Sequence, residues 1–122
     1  MVKFYEDLDK NFESISVVEK GKDDNGEPIR VVIFNISKTK KFEFQNPVIF
    51  INNGIHPGEP DGIDATMMLM RDLALGKIKV PQNTKIAAIE AYNISGMLRR
   101  GKFSRANQRT RRARFSWERQ KF

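Results

Sequence analysis

The spacing of apolar residues changes from a helical to an alternating period within the first third of the chain. Residues 4–11 are predicted to form a short helix, because three large apolar residues recur every four positions: Phe4, Leu8 and Phe12. Residues 12–18 alternate apolar and polar side chains, and residues 29–36 form a second strand-like segment. Residues 21–28 between them are rich in turn formers and include an Asn-Gly pair. The pattern therefore predicts a helix and a β-hairpin, followed by a charged loop over residues 37–46.

The middle of the chain predicts a strand, a helix and a second strand. Residues 47–52 are a continuous apolar run of the length of a buried strand. Residues 84–91 are predicted to form another buried strand, followed by a loop over residues 92–96. Residues 60–75 are predicted to be helical and to end before Gly76, because apolar positions recur at spacings of three and four: Ile63, Met67, Met70 and Ala74. This order of elements is a crossover unit. The predicted fold class is α/β, a partial mixed sheet with a flanking helix.

Length and cysteine content narrow the class of protein. At 122 residues the sequence suits one small domain, and its 39% hydrophobic content is adequate for a modest core. The chain contains no cysteine, which excludes disulfides and thiolate metal sites. No apolar run approaches the ~20 residues needed to cross a bilayer, and the first residues are not those of a signal peptide. We therefore expect no membrane association, while the cellular location stays open.

The net charge of +7 is unevenly distributed. Residues 99–122 contain ten Lys or Arg and one acidic residue, whereas residues 1–98 contain 12 basic and 14 acidic residues. Arginines interleaved with aromatic residues are typical of surfaces that bind phosphates and stack on bases. One alternative function is therefore a small α/β module whose basic tail binds nucleic acid or another polyanion. Its stacking residues would be Phe103, Phe115 and Trp117.

His56 and Glu59 form the most informative motif, His-x-x-Glu, shortly after the predicted strand at residues 47–52. Open α/β sheets bind ligands at the carboxyl ends of their strands, and zinc accepts imidazole and carboxylate ligands. Gly54 and Gly58 would let the backbone bend tightly around one ion. The alternative is a solvated loop histidine beside an acidic residue, since the isolated pair is common by chance. The chain contains one histidine, so a second imidazole ligand is absent from it.

The predicted helix contains methionines, whose thioether sulfurs are a second set of possible metal ligands near this motif. Met67, Met68 and Met70 are close in sequence. We interpret them as core packing rather than as metal ligands, because methionine commonly fills irregular space in apolar cores.

Residues 52–62, Asn-Asn-Gly-Ile-His-Pro-Gly-Glu-Pro-Asp-Gly, resemble the zinc-binding loop of the zinc metallocarboxypeptidases. The closer match is to bacterial zinc carboxypeptidases predicted to cleave peptides or peptide-like amides. The resemblance continues through residues 63–75 and resumes at residues 92–96 and 104–108, and the hairpin around residues 21–32 is also of the family type. Together these segments cover about residues 4–108. It implies the front half of a zinc-carboxypeptidase-like fold.

The resemblance also implies a zinc-dependent hydrolase of peptide or amide bonds. In the family, the residues that match His56 and Glu59 bind one Zn²⁺ ion, and a second histidine far downstream completes the site. The metal polarises the scissile carbonyl and activates a water molecule, with a downstream glutamate as general base. By position, Arg105 resembles the arginine that stabilises the tetrahedral oxyanion; its alternative role is one more charge in a basic tail. A related zinc-dependent deacylase is a lesser alternative, and intact relatives are often exported.

The resemblance ends at Gln108. Relatives continue with a segment like N-G-P-E-E-x-G-F-R-G-N-A-R-N, whereas residues 109–122 are rich in arginine. Synonymous codons for residues 109–122, translated one base later, encode G-P-E-E-H-G-F-R-G-N-A-R-N. We therefore interpret residues 1–108 as a truncated catalytic domain and residues 109–122 as a basic, disordered tail produced by a reading-frame shift. With the tail explained in this way, no specific nucleic-acid partner is expected.

Three consequences follow from this interpretation. The chain lacks the third zinc ligand, the general base and much of the sheet, so it is predicted to be inactive alone. An exposed, apolar sheet edge is expected where the missing strands would pair. The substrate specificity stays open, because the specificity pocket lies outside the segment that matches.

Overall fold

The computed structural model describes residues 1–36, 47–81 and 83–99. Its elements follow the chain in this order: α1 (Val2–Asn11), β1 (Ile15–Lys22), β2 (Pro28–Asn35), β3 (Val48–Asn52), α2 (Asp61–Ala74), β4 (Lys85–Ile89) and α3 (Ile94–Leu98). The predicted charged loop at 37–46, Arg105 and the predicted tail at 109–122 lie outside the described residues. Among the helices that are described, none is long and apolar enough to span a membrane.

The four strands form one mixed sheet in the order β1-β2-β4-β3. β1 pairs antiparallel with β2, and β2 pairs antiparallel with β4. β3 pairs parallel with β4, and the chain crosses between them through α2, as parallel neighbours require. The predicted α/β class, a mixed sheet with a flanking helix, is confirmed.

The core lies between one face of the sheet and the two longer helices. Alternate residues of a strand point to the same face, and the pairing places Val32 beside Ala88 and Phe34 beside Ile86 on that face. The remaining buried members of the cluster come from β1, α1 and α2: Ile15, Tyr5, Leu8, Met70 and Leu73. The helical periodicity of residues 60–75 therefore marks the side of α2 that packs on the sheet.

The three methionines of α2 have different environments. Met70 is fully buried in the core, and Met67 is partly buried against it. Met68 is 56% exposed, because two residues of helix turn it roughly to the opposite side from Met70. The prediction of core packing is therefore wrong for Met68.

The hairpin differs from its predicted bounds. β1 begins at Ile15 rather than at residue 12 and continues to Lys22, so the turn is shorter than predicted. The amide of Asp23 donates to the carbonyl of Glu27 at 2.9 Å and closes the turn. The pairing of β1 with β2 shifts register between Glu19 and the glycine two residues later, and this irregularity lets the strand continue into the region predicted as turn.

The predicted loop at residues 92–96 contains the start of α3. The side chain of Asn93 accepts a hydrogen bond from the backbone amide of Gly96 at 2.9 Å, which is the N-cap interaction that begins a helix. The periodicity analysis missed α3, because a helix of five residues is too short to display an apolar repeat.

β3 is exposed at the edge of the sheet, whereas β4 is buried as predicted. Ile49 and Phe50 are 51% and 59% exposed. In the described part of the chain, β4 pairs with one edge of β3 and no strand pairs with the other. The prediction that residues 47–52 form a buried strand is therefore wrong here, and the expected exposed, apolar sheet edge is present.

Phe50→Lys is expected to reduce self-association of the protein. An apolar strand edge without charged side chains is a template for pairing with another chain, and a lysine on the edge opposes such pairing. Light scattering over a concentration series should show an apparent mass that rises with concentration, and rises less for Phe50→Lys. Met68→Lys is the matched control, because Met68 is equally exposed but lies on α2. If self-association falls equally in both variants, it results from general surface hydrophobicity and not from the edge of β3.

Candidate metal centre

His56 and Glu59 lie together in the loop of residues 53–60, which connects β3 to α2. The Nδ1 atom of His56 is 3.4 Å from Oε2 of Glu59, and the two side chains are 66% and 51% exposed. The loop follows the carboxyl end of β3, which pairs in parallel with β4. The structure therefore brings the two predicted ligands side by side at the edge of the sheet where α/β folds bind ligands.

The separation of these two atoms fits a shared zinc ion. Zinc–nitrogen and zinc–oxygen bonds of about 2.0–2.2 Å at a tetrahedral angle place two ligand atoms roughly 3.3–3.6 Å apart. The observed 3.4 Å falls in this interval. It is longer than an ordinary N–H···O hydrogen bond of about 2.7–3.2 Å, and it is also within the range of an ion pair between a protonated imidazole and a carboxylate.

A third ligand is needed to complete a catalytic zinc site, which has three protein ligands and one open position. Within residues 1–36, 47–81 and 83–99, no three His, Cys, Asp or Glu side chains come together as a possible metal site. The whole sequence contains one histidine and no cysteine. Among the described residues, His56 and Glu59 are therefore two candidate ligands of the three that such a site needs.

Backbone hydrogen bonds fix the start of the 53–60 loop to the chain that follows β4. The amide of Tyr92 donates to the carbonyl of Asn53 at 2.8 Å, and the amide of Asn93 donates to the carbonyl of Gly54 at 2.9 Å. Gly54 has a φ of 65°, and a Cβ atom at this position would meet the segment after β4 at 3.2 Å. Gly58 has a φ of 78°. Both glycines therefore have backbone conformations that favour glycine, while their role in bending the loop around an ion stays a prediction.

Asn53 is a residue of this site that the sequence did not reveal. Its buried side chain donates from Nδ2 to Oγ1 of Thr66 in α2 at 2.9 Å and to the carbonyl of Ile89 in β4 at 3.2 Å. One amide thus joins three elements at the point where the loop begins. No local signal separates it from the adjacent Asn52, which is exposed.

Asp23 links the hairpin turn to α3. Its carboxylate accepts hydrogen bonds from the backbone amide of Ser95 at 3.0 Å and from the Ser95 hydroxyl. It also accepts from the amides of Asn25 and Glu27 within the turn. The Ser95 hydroxyl, followed by these backbone amides, holds the pKa of Asp23 below its usual range, so the carboxylate is ionised at neutral pH.

A cleft of about 490 Å³ opens between the hairpin turn and α3, beside the 53–60 loop. Ile55, which precedes His56, lies on its wall, and Tyr92 contributes an aromatic surface. Basic and acidic side chains also line it, among them Lys22, Asp24 and Arg99. The cleft therefore offers mixed polar and apolar contacts beside Ile55, the residue that precedes His56.

The predicted oxyanion residue, Arg105, lies outside the described residues, as do the aromatic residues of the basic tail. Arg99 is described and is exposed. The oxyanion role of Arg105 and the polyanion-binding role of the tail both stay predictions.

Comparison with known proteins supports the fold. No protein-family model and no curated protein matches the chain. Among solved structures, the crystal structure of carboxypeptidase A from Helicoverpa armigera is similar, with a TM-score of 0.65 and 22% sequence identity. The similarity covers 77% of this chain and 23% of that one, so the chain spans about a quarter of the solved protein. The chain therefore has a carboxypeptidase-like α/β fold, as the resemblance of its 53–60 loop implied.

Proposed function

We propose that residues 1–108 belong to the catalytic domain of a zinc-dependent metallocarboxypeptidase-type hydrolase, related to the bacterial zinc carboxypeptidases. The observation that carries the proposal is the pair of His56 and Glu59, whose Nδ1 and Oε2 atoms lie 3.4 Å apart in the loop after a parallel strand. A carboxypeptidase-like fold surrounds the pair, and the 53–60 loop resembles the zinc-binding loop of that family in sequence. Donor geometry, fold and loop sequence each support this proposal.

The residues of this chain have distinct roles in the proposed site. His56 and Glu59 would hold Zn²⁺ through a ring nitrogen and a carboxylate oxygen. A bound zinc ion supplies a Lewis acid and a water molecule of lowered pKa, which is the chemistry that amide hydrolysis needs. The cleft beside Ile55 offers space for a peptide or peptide-like amide substrate. Arg105 would stabilise the oxyanion, a role that rests on the resemblance.

We expect the chain alone to bind zinc weakly and not to hydrolyse peptides. Two protein ligands leave one protein position of a catalytic site unfilled, and each lost ligand removes a large share of the binding free energy. The described residues hold no third ligand beside the pair, and the sequence contains a single histidine. A segment after residue 108 of the intact hydrolase would supply the missing ligand and the general base.

Calorimetric titration of zinc into metal-free protein tests the site. The parent is expected to bind one ion with a dissociation constant of roughly 1–100 µM, about half the free energy of a complete structural zinc site. His56→Ala and Glu59→Ala should each weaken binding by at least about tenfold, which corresponds to roughly 1.4 kcal/mol. Glu19→Ala removes an exposed glutamate of β1 and should leave binding unchanged. Absence of binding by the parent, or binding that survives both ligand substitutions, contradicts the assignment.

The same proteins test the expected lack of activity. With zinc present, the parent should release no more product from an N-acylated dipeptide than His56→Ala does. Zinc-dependent hydrolysis above that control would show that two ligands and this cleft suffice for catalysis.

A further inference from the structure

The carbonyl of Ile55 is held from outside the 53–60 loop. The Nδ2 atom of Asn93 donates to this carbonyl at 3.3 Å, and the Asn93 amide donates to the carbonyl of Gly54. The Ile55 carbonyl and the amide of His56 belong to one planar peptide unit. A contact that fixes this carbonyl therefore fixes the direction in which the chain enters His56.

Asn93 is itself held in position by α3. Its Oδ1 accepts a hydrogen bond from the amide of Gly96 at 2.9 Å, and this bond orients the side-chain amide so that Nδ2 is directed to the loop. A Cβ atom on Gly96 would lie 2.5 Å from Asn93 Oδ1 and 2.7 Å from Cγ of Pro57. The helix therefore packs directly on the residue after His56. It contacts the loop on both sides of the candidate ligand, at Ile55 and at Pro57.

The position of α3 depends on the hairpin turn. A helix of five residues is not stable by itself, so its place is set by contacts with other elements. Ser95 supplies one such contact, because its amide and hydroxyl both donate to the carboxylate of Asp23. The same carboxylate closes the turn through the amides of Asn25 and Glu27. A continuous set of contacts thus runs from the turn through α3 to the 53–60 loop.

We propose that Asn93 and Gly96 are positioning residues, which hold the 53–60 loop in the conformation that places His56 beside Glu59 before a metal ion binds. A loop ordered in advance binds without the entropic cost of ordering it. The expected effect on zinc affinity rests on the proposed function. The expected ordering of the loop in the metal-free protein does not. Neither residue is a ligand. Gly96 acts by leaving room for Pro57, and Asn93 acts through the Ile55 carbonyl.

Substitutions at Asn93 separate its two hydrogen bonds. Asn93→Ala removes both, while Asn93→Ser keeps a good helix cap but is too short to reach the Ile55 carbonyl. Gly96→Ala forces Pro57 or Asn93 to move. Asn11→Ala is the matched control, since Asn11 makes one side-chain hydrogen bond at the end of α1, remote from the loop. Urea unfolding of every variant confirms that each is folded and measures its stability.

Two measurements decide the role. In the metal-free protein, ¹⁵N relaxation of the amides of Ile55, His56 and Gly58 should show increased motion in Asn93→Ala, Asn93→Ser and Gly96→Ala, and none in Asn11→Ala. The zinc dissociation constant should rise about three- to tenfold in the same three variants, as expected when the hydrogen bond from Asn93 to the Ile55 carbonyl is lost or displaced. It should stay within twofold of the parent in Asn11→Ala.

The outcomes distinguish this inference from the proposed function. If the parent binds no zinc, the proposed function fails, and the relaxation measurement alone decides whether Asn93 orders the loop. If the parent binds zinc but the Asn93 and Gly96 variants keep both the parent loop motion and the parent affinity, the positioning role is wrong. If Asn93→Ser behaves as the parent while Asn93→Ala does not, the helix cap matters and the contact with Ile55 does not, which also overturns the proposal.

Discussion

Asn53→Ala is expected to lower the free energy of unfolding by about 2–4 kcal/mol. The Asn53 side chain is buried and donates to Oγ1 of Thr66 and to the carbonyl of Ile89. Alanine removes both bonds and leaves the buried Thr66 hydroxyl and the partly buried Ile89 carbonyl without this donor. Each group left unsatisfied costs about 1–3 kcal/mol, with the smaller cost at the partly buried carbonyl. Deleting the amide also leaves a small cavity among α2, β3 and β4. Urea unfolding followed by circular dichroism measures the change.

The adjacent residue provides the control for this prediction. Asn52→Ala makes the same chemical change at an exposed position and should alter the free energy of unfolding by no more than about 0.5 kcal/mol. Asn53→Asp keeps the size of the side chain but cannot donate to the Ile89 carbonyl, so it should also be strongly destabilising. Equal stability of Asn53→Ala and Asn52→Ala would mean that the buried amide adds little to the strand pairing and apolar packing that already join the three elements.

Asn53 and Asn93 affect the candidate site in different ways. Asn53 lies at the root of the 53–60 loop and bonds to α2 and β4, so its loss is expected to weaken the whole fold. Asn93 bonds to the middle of the loop from the start of α3, which is short and has no fully buried residue. Its loss is expected to loosen the loop more than the fold. Global unfolding therefore reports mainly on Asn53, and local loop motion reports mainly on Asn93.

The fold class followed from the sequence because its main determinants are local. Apolar periodicity located α1, α2 and the four strands, and the strand-helix-strand order required a parallel pair. The exposure of β3 was predicted wrongly from its composition, because burial of an apolar strand depends on which neighbours pair with it. Phe50 has the same apolar character whether β3 is central or at an edge.

The pairing of His56 with Glu59 could be predicted from the sequence, whereas the contacts that support their loop could not be read from it. The spacing of His56 and Glu59 and their place after a strand were visible in sequence, and the pair does lie together. The supports come from contacts between distant positions. Asn93 is 38 residues from Ile55, and Ser95 is 72 residues from Asp23. An Asn three residues before a Gly is a weak local sign of a helix cap. Nothing in the neighbouring sequence identifies Ile55 as the acceptor for the side-chain amide of Asn93.

Glu90→Gln is expected to raise the free energy of unfolding by about 1–3 kcal/mol at neutral and alkaline pH, and to leave it unchanged near pH 4. Glu90 is buried at the end of β4, and in the described part of the chain its Oε1 atom has no hydrogen-bond partner. Burial is the main cause that raises the pKa of Glu90. The Arg30 guanidinium and the N-terminal amine oppose this shift, and Glu6 adds to it. Tyr5 of α1 faces the same region, and burial and Glu90 raise the pKa of its hydroxyl. This buried hydroxyl also has no hydrogen-bond partner among the residues that the structure describes.

The sign of this effect follows from proton linkage. Because the pKa of Glu90 is higher in the folded state, the folded protein binds more protons than the unfolded chain over the interval between the two pKa values. The stability contributed by protonated Glu90 is therefore complete below the unfolded value, about pH 4, and is lost as the pH rises through the folded value. Glutamine has no proton to lose, so the variant does not undergo this loss.

Urea unfolding of the parent and of Glu90→Gln between about pH 4 and pH 8 measures the difference. The variant should match the parent at the acid end and exceed it progressively as the pH rises. Glu19→Gln, which neutralises an exposed glutamate of β1, corrects for the loss of one negative charge and should show no such divergence. A constant difference between Glu90→Gln and the parent over the whole range would mean that Glu90 titrates alike in both states. Arg30 and the N-terminal amine would then fully compensate the buried carboxylate of Glu90. Ionisation of Glu90 would not lower the free energy of unfolding.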